Sequence, residues 1–372
     1  MRILTIVGNR PQFVKAAAVS LLLREQHEEV LVHTGQHYDD DLSRIFFDEL
    51  GVPEPDRQLG AGGGTNTDQT ARILGALEGV IGETEPEMVL VYGDTNSTLA
   101  GALAAAQAHV PVAHVEAGMR SFDRTMPEEL NRVLCDHASD LLLCSTQTAV
   151  HNLANEGIRD GVHLVGDVMA DVSLRFAGVA EERSRALEEH GVEPGRFLLV
   201  TAHRAGNVDH PGRLRRLVEL LEALPEPAVF PVHPRTRARL EAGGLMERLE
   251  AVEQLHLAPP IGYLDFLRLA QHAGAILTDS GGVQKEAYLS GVPCVTLRSE
   301  TEWVETVRTG WNRVVNDDPA ALRAALGDAA FMDRTRPRPE LYGDGRTASR
   351  IVAALERHEA TRAVAPQEAT TS

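Results

Sequence analysis

Short runs of apolar residues recur along the whole chain, separated by stretches with helical spacing. Six runs lie in the first half, at residues 2–7, 29–35, 88–94, 110–118, 140–145 and 162–167, and six more follow at 196–204, 228–235, 255–260, 273–282, 293–297 and 312–316. None alternates cleanly between apolar and polar positions, which is typical of strands buried on both faces of a parallel sheet. The pattern therefore predicts an α/β protein with two Rossmann-like domains, each built on a parallel sheet.

The chain length also favours two domains, because 372 residues exceed what one hydrophobic core usually serves. A charged helical segment at 174–195 ends in Gly-Val-Glu-Pro-Gly and is the predicted connection, with the boundary near residues 168–173. We predict an N-terminal domain at 1–171, a C-terminal domain at 172–358 and a disordered tail at 359–372. Helical spacing at 347–359 predicts a last helix that could pack back onto the N-terminal domain.

Composition narrows the classes of partner. A formal net charge of −18 argues against nucleic acid and anionic membranes, since the dominant attraction to phosphate backbones would become repulsion. Cys135, Cys144 and Cys294 show no CxxC spacing, so neither a disulfide framework nor a zinc site is indicated. Residues 2–7 are too short for a signal sequence or a membrane span. We expect a cytoplasmic protein without a metal or other cofactor.

Three carboxylates mark the first half as the place for acid/base chemistry. Asp94 and Glu116 end predicted strands, and Glu128 follows Pro127 at a predicted helix start. Open α/β sheets bind ligands at the carboxyl ends of their strands, and a buried acid there is costly unless it is paired or functional. Each acid alone could be an ordinary helix cap, and for Glu128 that interpretation is the stronger one. The three together favour a catalytic function.

The second half offers an anion site instead. In LTDSGGVQKEA, Ser280, Gly281 and Gly282 end a strand and open a helix, so their backbone N–H groups and the helix dipole could hold phosphate. Glu286 on that helix could accept hydrogen bonds from a sugar or ribose hydroxyl. Acids in one half and an anion site in the other predict an active site in a cleft between the domains.

Basic side chains add to the phosphate hypothesis. Arg10 and Lys15 lie near the start of the first predicted helix, where two cations suit a diphosphate, although a solvated helix residue explains Lys15 equally well. His203 and His233 each end a second-half strand beside an arginine, which suits a phosphate-lined cleft or a satisfied core histidine.

Two segments formally match other sites, and we interpret them differently. Asp39, Asp40 and Asp41 match a metal-binding DxD motif but precede LSRIFFDEL, so we read them as acids at a helix start. The glycine-rich segment 60–70 lacks the spacing of a nucleotide-binding loop, and we expect it to be mobile.

Read together, eight motifs resemble the non-hydrolysing UDP-N-acetylglucosamine 2-epimerases over residues 1 to about 356. They are GNRPQFVK, VYGDTNST, HVEAGMR, MPEELNR, VTAHR, FPVHP, LTDSGGVQKEA and YGDG. The motifs occur in the same order across both halves, which makes the resemblance specific. It implies the glycosyltransferase-B fold, a UDP-sugar substrate and a homodimer.

The resemblance also implies a reaction and residue roles. UDP-GlcNAc and UDP-ManNAc would interconvert by elimination and re-addition of UDP through 2-acetamidoglucal, which needs carboxylates for proton transfer and cations for the departing diphosphate. By motif, Asp94, Glu116 and Glu128 resemble the catalytic acids, with His203 against the diphosphate or assisting proton transfer. The residues that resemble the UDP-binding set are Arg10, Lys15, Ser280, Gly281, Gly282, Glu286 and Arg313, and Phe266 matches an aromatic position beside uracil that could equally be core.

The chain departs from the commoner GTRPE opening by having Asn9 and Gln12. Its RPQFVKAA form resembles relatives that epimerise UDP-2,3-diacetamido uronic sugars, which leaves two candidate substrates. Gln36 and His37 match a pair linked to activation by substrate in relatives, but the following residues diverge, and we do not predict activation. A glycosyltransferase of the same fold, or a UDP-sugar sensor without turnover, is a less favoured alternative.

Overall fold

The computed structural model describes residues 1–36 and 53–364; for Arg10 and for residues 362–364 it describes the backbone alone. The predicted acidic cluster Asp39–Asp41, the helix expected after it and His37 of the Gln36–His37 pair therefore lie outside the described residues. So do residues 365–372 of the predicted tail.

The chain divides into two compact units. The first comprises residues 1–172 together with the described residues from Tyr342 onward, and the second comprises Ser173–Leu341. Residues 342–358, assigned above to the second domain, thus cluster with the first unit. The predicted cleft concerns the arrangement of the two units and stays a prediction.

A seven-stranded parallel sheet forms the centre of the first unit. Its strands are β1 (Arg2–Val7), β2 (Glu28–His33), β3 (Arg57–Gln58), β4 (Met88–Tyr92), β5 (Val112–Ala117), β6 (Leu141–Cys144) and β7 (Val162–Leu164). They are ordered β3-β2-β1-β4-β5-β6-β7, so the strand order reverses between β1 and β4. Ligands of open α/β sheets bind at such a switch point.

Helices connect these strands in the first unit. They are α1 (Arg10–Gln26), α2 (Asn66–Thr84), α3 (Asn96–Gln107), α4 (Pro127–Ala138), α5 (Gln147–Asn155), α6 (Val168–Arg183), which carries the chain into the second unit, and the last helix of the described chain, α17 (Thr347–Val364). The carboxylate of Asp171 accepts hydrogen bonds from the backbone N–H groups of Thr347 and Ala348, at 3.0 and 2.8 Å. This cap holds the start of α17 in the first unit.

The second unit repeats the same plan with a six-stranded parallel sheet. Its strands are β8 (Leu198–Thr201), β9 (Ala228–Pro231), β10 (Leu255–Ala258), β11 (Ala275–Thr278), β12 (Cys294–Thr296) and β13 (Asn312–Val314). The order β10-β9-β8-β11-β12-β13 places the switch point between β8 and β11. Its helices are α7 (Ala186–Glu189), α8 (Ala205–Val208), α9 (Pro211–Glu222), α10 (Pro234–Ala242), α11 (Met246–Glu250), α12 (Tyr263–His272), α13 (Gly281–Leu289), α14 (Val304–Arg308), α15 (Pro319–Leu326) and α16 (Ala329–Met332).

The central strands form because their apolar residues are buried on both faces, whereas the edge strands β7 and β10 are partly exposed. In β1, Ile3, Leu4, Ile6 and Val7 are all fully buried, and β8 is buried throughout. The fold class predicted from the apolar runs, α/β with two parallel sheets, is confirmed.

Four local expectations differ from the structure. The two-residue strand β3 carries no apolar residue and was not predicted. The segment 60–70 was expected to be mobile, but α2 begins at Asn66 with Thr65 as its N-cap, because the hydroxyl of Thr65 accepts from the N–H of Asp68. The predicted helix at 174–195 ends at Arg183 and is followed by the short α7. Residues 359–364, predicted as part of a disordered tail, belong to α17.

Candidate functional site

The first group of candidate residues lies at the switch point of the first sheet. Asn9 caps α1 directly after β1, and Lys15 lies in the second turn of that helix. Asp94 follows β4 through Gly93, whose φ of 65° only glycine adopts readily. Glu116 lies near the end of β5. Three neighbouring strands therefore bring one cation and two acids to the same edge of the sheet.

Glu116 has an unusual backbone. Its φ is 73°, and the pairing of β5 with β6 shifts register between Val115 and Ala117, which identifies a β-bulge at Glu116. A left-handed non-glycine residue costs of order 1–3 kcal/mol and persists only where its surroundings hold it, a situation that is common at functional sites. The bulge sets the direction of the Glu116 side chain.

An ion pair joins Lys15 to Glu116. The ammonium contacts Oε2 of Glu116, and both side chains are about nine-tenths buried, with exposures of 12% and 11%. A Cβ atom placed on Gly93 would lie 3.3 Å from Glu116 Oε2 and 3.4 Å from Lys15 Nζ. The backbone before Asp94 therefore passes directly beside the ion pair, and a side chain at position 93 would crowd it.

Asp94 is held by α4, the helix that begins at Pro127. Its Oδ2 accepts a hydrogen bond from Nη2 of Arg132 at 2.7 Å, and its carbonyl oxygen accepts from Nδ2 of Asn131 at 3.0 Å. Glu128, the third predicted acid, is half-buried at the second position of α4, one helical turn before Arg132. Arg132 and Asn131 lie in the quoted motif MPEELNR, but sequence reasoning did not single them out.

Arg132 is shared between two carboxylates. Its Nη1 donates to Oε2 of Glu129 at 2.7 Å, and Glu129 also accepts from the N–H groups of Ser121 and Phe122 at 2.8 and 3.0 Å. Burial alone would raise the pKa of Glu129, but these hydrogen bonds and the charge of Arg132 lower it below its usual value. Glu129 is therefore a structural anion that orients Arg132 toward Asp94.

Gln12 occupies the position where the commoner motif has glutamate. It is 1% exposed; its Oε1 accepts from the N–H of Gly8 at 2.7 Å, and its Nε2 donates to the carbonyl oxygen of Tyr92 at 2.5 Å. Nε2 also lies 3.0 and 2.9 Å from the hydroxyls of Thr95 and Thr98. Gln12 thus bridges the loop after β1 to both sides of the turn that carries Asp94.

The second group lies at the switch point of the second sheet. His203 follows β8, and Asp279 and Ser280 follow β11; the hydroxyls of Thr201 and Thr278, which end these two strands, are 2.6 Å apart. Asp279 is fully buried and accepts from the N–H groups of His203 and Arg204, each at 3.0 Å. Asp279 was quoted within a motif but not singled out, and it is the residue that joins the two loops.

The rings of His203 and His233 stack with their centroids 5.3 Å apart and their planes 29° from parallel. His203 is half-buried and His233 is exposed. The structure therefore brings together two histidines that are separated by a complete βα unit in the sequence, at the carboxyl ends of β8 and β9.

The glycine turn opens α13. Ser280 is the residue before the helix, and its N–H donates to the hydroxyl of Thr278 at 2.9 Å. A Cβ atom on Gly281 would lie 2.4 Å from Oε1 of Glu302, so a side chain here would displace that carboxylate. Gly282 is exposed, whereas Glu286 is buried within the same helix. The turn has the geometry of a helix N-terminus that can accept an anion.

The remaining candidates lie apart from these groups of contacts. Phe266 in α12 packs against the apolar cluster that includes Leu269, which agrees with its core interpretation. Arg313 in β13 contacts Asp328 and lies 4.4 Å from the ring centroid of Phe331. Arg10 is the first residue of α1, and its side chain is outside the described part of the chain.

Two further findings concern the described residues as a whole. Residues 1–36 and 53–364 contain no group of three or more His, Cys, Asp or Glu side chains arranged to hold a metal ion. In the same ranges, every helix is too short or too polar to cross a membrane.

The sequence is similar to those of known UDP-sugar 2-epimerases. A family model described as UDP-N-acetylglucosamine 2-epimerase matches residues 21–356. The chain is 48% identical over 363 residues to the UDP-2,3-diacetamido-2,3-dideoxy-D-glucuronate 2-epimerase of Pseudomonas aeruginosa, covering 94% of this chain and 98% of the relative. It is 46% identical over 356 residues to a UDP-N-acetylglucosamine 2-epimerase homolog of Methanococcus maripaludis, covering 95% and 99%.

A solved structure agrees at the level of the fold. The crystal structure of the Methanocaldococcus jannaschii UDP-GlcNAc 2-epimerase in complex with UDP-GlcNAc and UDP superposes with a TM-score of 0.90 at 40% identity, over 96% of this chain and all of that one. The two-sheet α/β architecture is therefore that of the glycosyltransferase-B-like epimerases.

Proposed function

Because the chain belongs to the UDP-N-acetylglucosamine 2-epimerase family, we propose that it is a non-hydrolysing epimerase that interconverts UDP-GlcNAc and UDP-ManNAc. The observation that carries this proposal is the Lys15–Glu116 ion pair beside the turn of Asp94, at the switch point of a parallel sheet. That edge holds the largely buried carboxylate of Glu116 and the half-buried carboxylate of Asp94 for proton transfer, together with a cation for an anionic leaving group.

The proposed reaction inverts C2 in two steps. C2 has no neighbouring carbonyl group, so simple removal of its proton would be prohibitively slow. In the first step a base takes the C2 proton, a double bond forms between C1 and C2, and the C1–O bond breaks with its electron pair leaving on UDP. In the second step 2-acetamidoglucal is protonated at C2 on the opposite face, and the UDP oxygen adds back to C1. Protons and charge balance over the cycle.

The residues of the first unit would do the proton transfer. Asp94, Glu116 and Glu128 are the proposed acids and bases, and they would also stabilise positive charge that develops on the ring. Asp94 is already oriented by Arg132, and Glu116 by Lys15. Lys15 and Arg10 would stabilise the diphosphate as it leaves.

The second unit would hold UDP. The N–H groups at Ser280, Gly281 and Gly282 would face the diphosphate, and His203 with His233 would contact it from the neighbouring loops. Glu286 would accept hydrogen bonds from the ribose, and Arg313 and Phe266 complete the proposed set. We further propose that the enzyme is a cytoplasmic homodimer that supplies precursors of surface polysaccharide.

A second candidate substrate is UDP-2,3-diacetamido-2,3-dideoxy-D-glucuronate. The 48% identity to the Pseudomonas aeruginosa enzyme named for it and the Gln12 opening favour this substrate. Both substrates carry UDP at C1 and an acetamido group at C2, so the same elimination applies to both. They differ at C3 and C6, where the second has an acetamido group and a carboxylate.

Incubation in D2O with each UDP-sugar alone tests the reaction and the substrate together. We expect inversion with deuterium at C2 of the recovered sugar, because the proton removed in the first step exchanges with solvent before the second. The faster substrate is the physiological candidate. No exchange with either sugar until an acceptor is added would contradict the epimerase and indicate a glycosyltransferase.

Replacement of Asp94 by asparagine tests the role of the first unit. We expect Asp94→Asn to lower kcat by about 10²- to 10⁴-fold, the usual contribution of a general acid or base. UDP affinity measured by calorimetry should stay unchanged, since an amide oxygen can still accept the hydrogen bond from Arg132. Asp160→Asn, an exposed acid in the same unit, is the matched control and should leave kcat unaltered.

A further inference from the structure

His114 lies beneath the candidate acids and has no assigned role. It is on β5, two residues before Glu116, and its side chain is fully buried. Its Nε2 is 2.7 Å from the carbonyl oxygen of Gly93, and its Nδ1 is 2.7 Å from Oδ1 of Asp136 in α4. The ring therefore connects the residue before Asp94 with helix α4.

The partners of His114 determine its protonation state. A peptide carbonyl oxygen can only accept a hydrogen bond, so Nε2 must carry a proton. Oδ2 of Asp136 also accepts from the N–H of Gly118 at 3.0 Å and from Nη1 of Arg120 at 2.7 Å, and the guanidinium charge of Arg120 favours an ionised carboxylate. Oδ1 of an ionised carboxylate can only accept, so Nδ1 then donates as well. Both ring nitrogens are donors only in the imidazolium form.

The charges around the ring are consistent with that form. Asp136 is fully buried and is shared by His114 and Arg120, while Arg120 also binds Glu156 with two hydrogen bonds of 2.7 Å. Burial alone would lower the pKa of His114, but Cys135 and Asp136 raise it well above its ordinary value. Burial raises the pKa of Asp136, but His114 and Arg120 lower it below its ordinary value overall.

The same network holds the backbone on both sides of the acids. His114 binds the carbonyl of Gly93, directly before Asp94, and Asp136 binds the N–H of Gly118, two residues after Glu116. Gly93, Glu116 and Gly118 all have positive φ, at 65°, 73° and 77°. Glycine adopts this conformation readily, whereas Glu116 keeps it only where neighbouring groups hold it.

We propose that His114 is a permanently charged positioning residue: its buried imidazolium, paired with Asp136, fixes the two turns that carry Asp94 and Glu116. The assignment of those acids rests on the proposed function, whereas the charge of His114 does not. The contacts of His114 described here are with Asp136 and with the carbonyl of Gly93, so it acts on Asp94 and Glu116 through the backbone.

The ionisation of His114 is tested in the unaltered protein by NMR of a sample with ¹⁵N-labelled histidine. We expect one-bond proton couplings at both ring nitrogens of His114 throughout the pH range in which the enzyme is active, and His114→Gln identifies the resonance by its loss. A proton at only one ring nitrogen near neutral pH would overturn the proposal.

The positioning role is tested with His114→Gln. The glutamine amide can replace the Nε2 donor to Gly93 but has no charge for Asp136. We expect kcat to fall about 10²-fold, the usual effect of misplacing catalytic groups by about 1 Å, while KM changes less than about twofold. Asp136→Asn removes the negative partner of the imidazolium instead. It should also lower kcat while KM changes little. Circular dichroism and thermal unfolding give the folded fraction of each variant.

The possible outcomes separate this inference from the proposed function. His151→Gln, an exposed histidine in α5, should retain full kcat. Unchanged kcat in folded His114→Gln, or a loss fully explained by unfolded protein in both network variants, would overturn the positioning role. A wild-type protein that converts neither UDP-sugar would instead contradict the proposed function, and the NMR result would still decide the charge.

Discussion

At the scale of single residues, buried polar side chains determine the geometry around the candidate site. Gln12 is the clearest case. Its amide accepts from the N–H of Gly8 after β1 and donates to the carbonyl oxygen of Tyr92 at the end of β4. Glutamate, the commoner residue in the motif, could accept from Gly8 but could not donate to Tyr92 in its ionised form. The departure from the motif therefore has a structural consequence that is independent of substrate choice.

Replacing Gln12 by alanine should destabilise the protein. The change leaves the N–H of Gly8 without its side-chain partner, removes one of two side-chain donors to the carbonyl of Tyr92 and opens a cavity, so we expect the free energy of unfolding to fall by about 2–4 kcal/mol. Chemical denaturation monitored by circular dichroism measures the change. Glu25→Ala, at an exposed position of α1, is the control; equal stability of the two variants would show that the Gln12 bonds contribute little.

At the scale of elements, Gly161 marks a place where two strands pack too closely for a side chain. Gly161 precedes β7, and its carbonyl accepts from the N–H of Leu142 in β6 at 2.8 Å. Its φ is 69°, and a Cβ atom there would lie 1.9 Å from the carbonyl oxygen of Asp140. Neither the backbone of Asp140 nor the edge strand can move without loss of the β6–β7 pairing.

Gly161→Ala should therefore be destabilising although it adds only a methyl group. We expect a loss of at least about 1–2 kcal/mol from the left-handed backbone alone, before the clash with Asp140 is added. The matched change Gly75→Ala, in the interior of α2 with open space around it, should instead stabilise by up to about 1 kcal/mol. Thermal unfolding of the pair distinguishes the two, and a Gly161→Ala midpoint at or above that of the wild type would contradict the argument.

At the scale of the whole molecule, the two units repeat one structural plan. Each has a parallel sheet whose strand order reverses once, and in each the candidate residues follow the strands at that reversal. The first unit presents Lys15, Asp94 and Glu116 there, and the second presents His203 and Ser280. We interpret this repetition as a division between proton transfer and phosphate binding.

Stability of the whole molecule should depend on pH through His33. His33 is 2% exposed, and burial lowers its pKa from 6.5 to about 4. A lowered pKa in the folded state means that this stability is fully present above pH 6.5 and is lost as the pH falls toward 4. The reason is that, between these pH values, His33 binds a proton in the unfolded chain but stays neutral in the folded protein. The shift corresponds to about 3 kcal/mol at most.

We expect His33→Phe to flatten this dependence. The variant has no titrating group at position 33 and keeps an aromatic ring beside Phe13, which His33 contacts at a centroid distance of 4.9 Å. Free energies of unfolding from denaturant titrations at several pH values between 6.5 and 4 measure the slope. His151→Gln should keep the wild-type slope, and parallel curves for His33→Phe and the wild type would contradict the prediction.

The sequence by itself determined the strands of both sheets. It also identified the edge of each sheet, at the carboxyl ends of the strands, where the candidate residues lie. All twelve predicted strands are present, because a strand buried on both faces needs a continuous apolar run, and a parallel sheet places every carboxyl end on one edge. Asp94, Glu116, His203 and Ser280 could therefore be named as candidates from their positions at strand ends, and their roles stay predictions. The strand β3 was missed because two polar residues at a sheet edge leave no apolar pattern.

Only the tertiary structure decided which groups meet and what charge they carry. Lys15 and Glu116 are 101 residues apart in the sequence, and Asp94 and Arg132 are 38 apart. The bulge at Glu116 and the imidazolium of His114 depend on partners from other elements, since ionisation follows from burial and from the donors and acceptors within reach. Hydrophobic spacing is a local property of the chain, whereas electrostatic pairing requires the folded geometry.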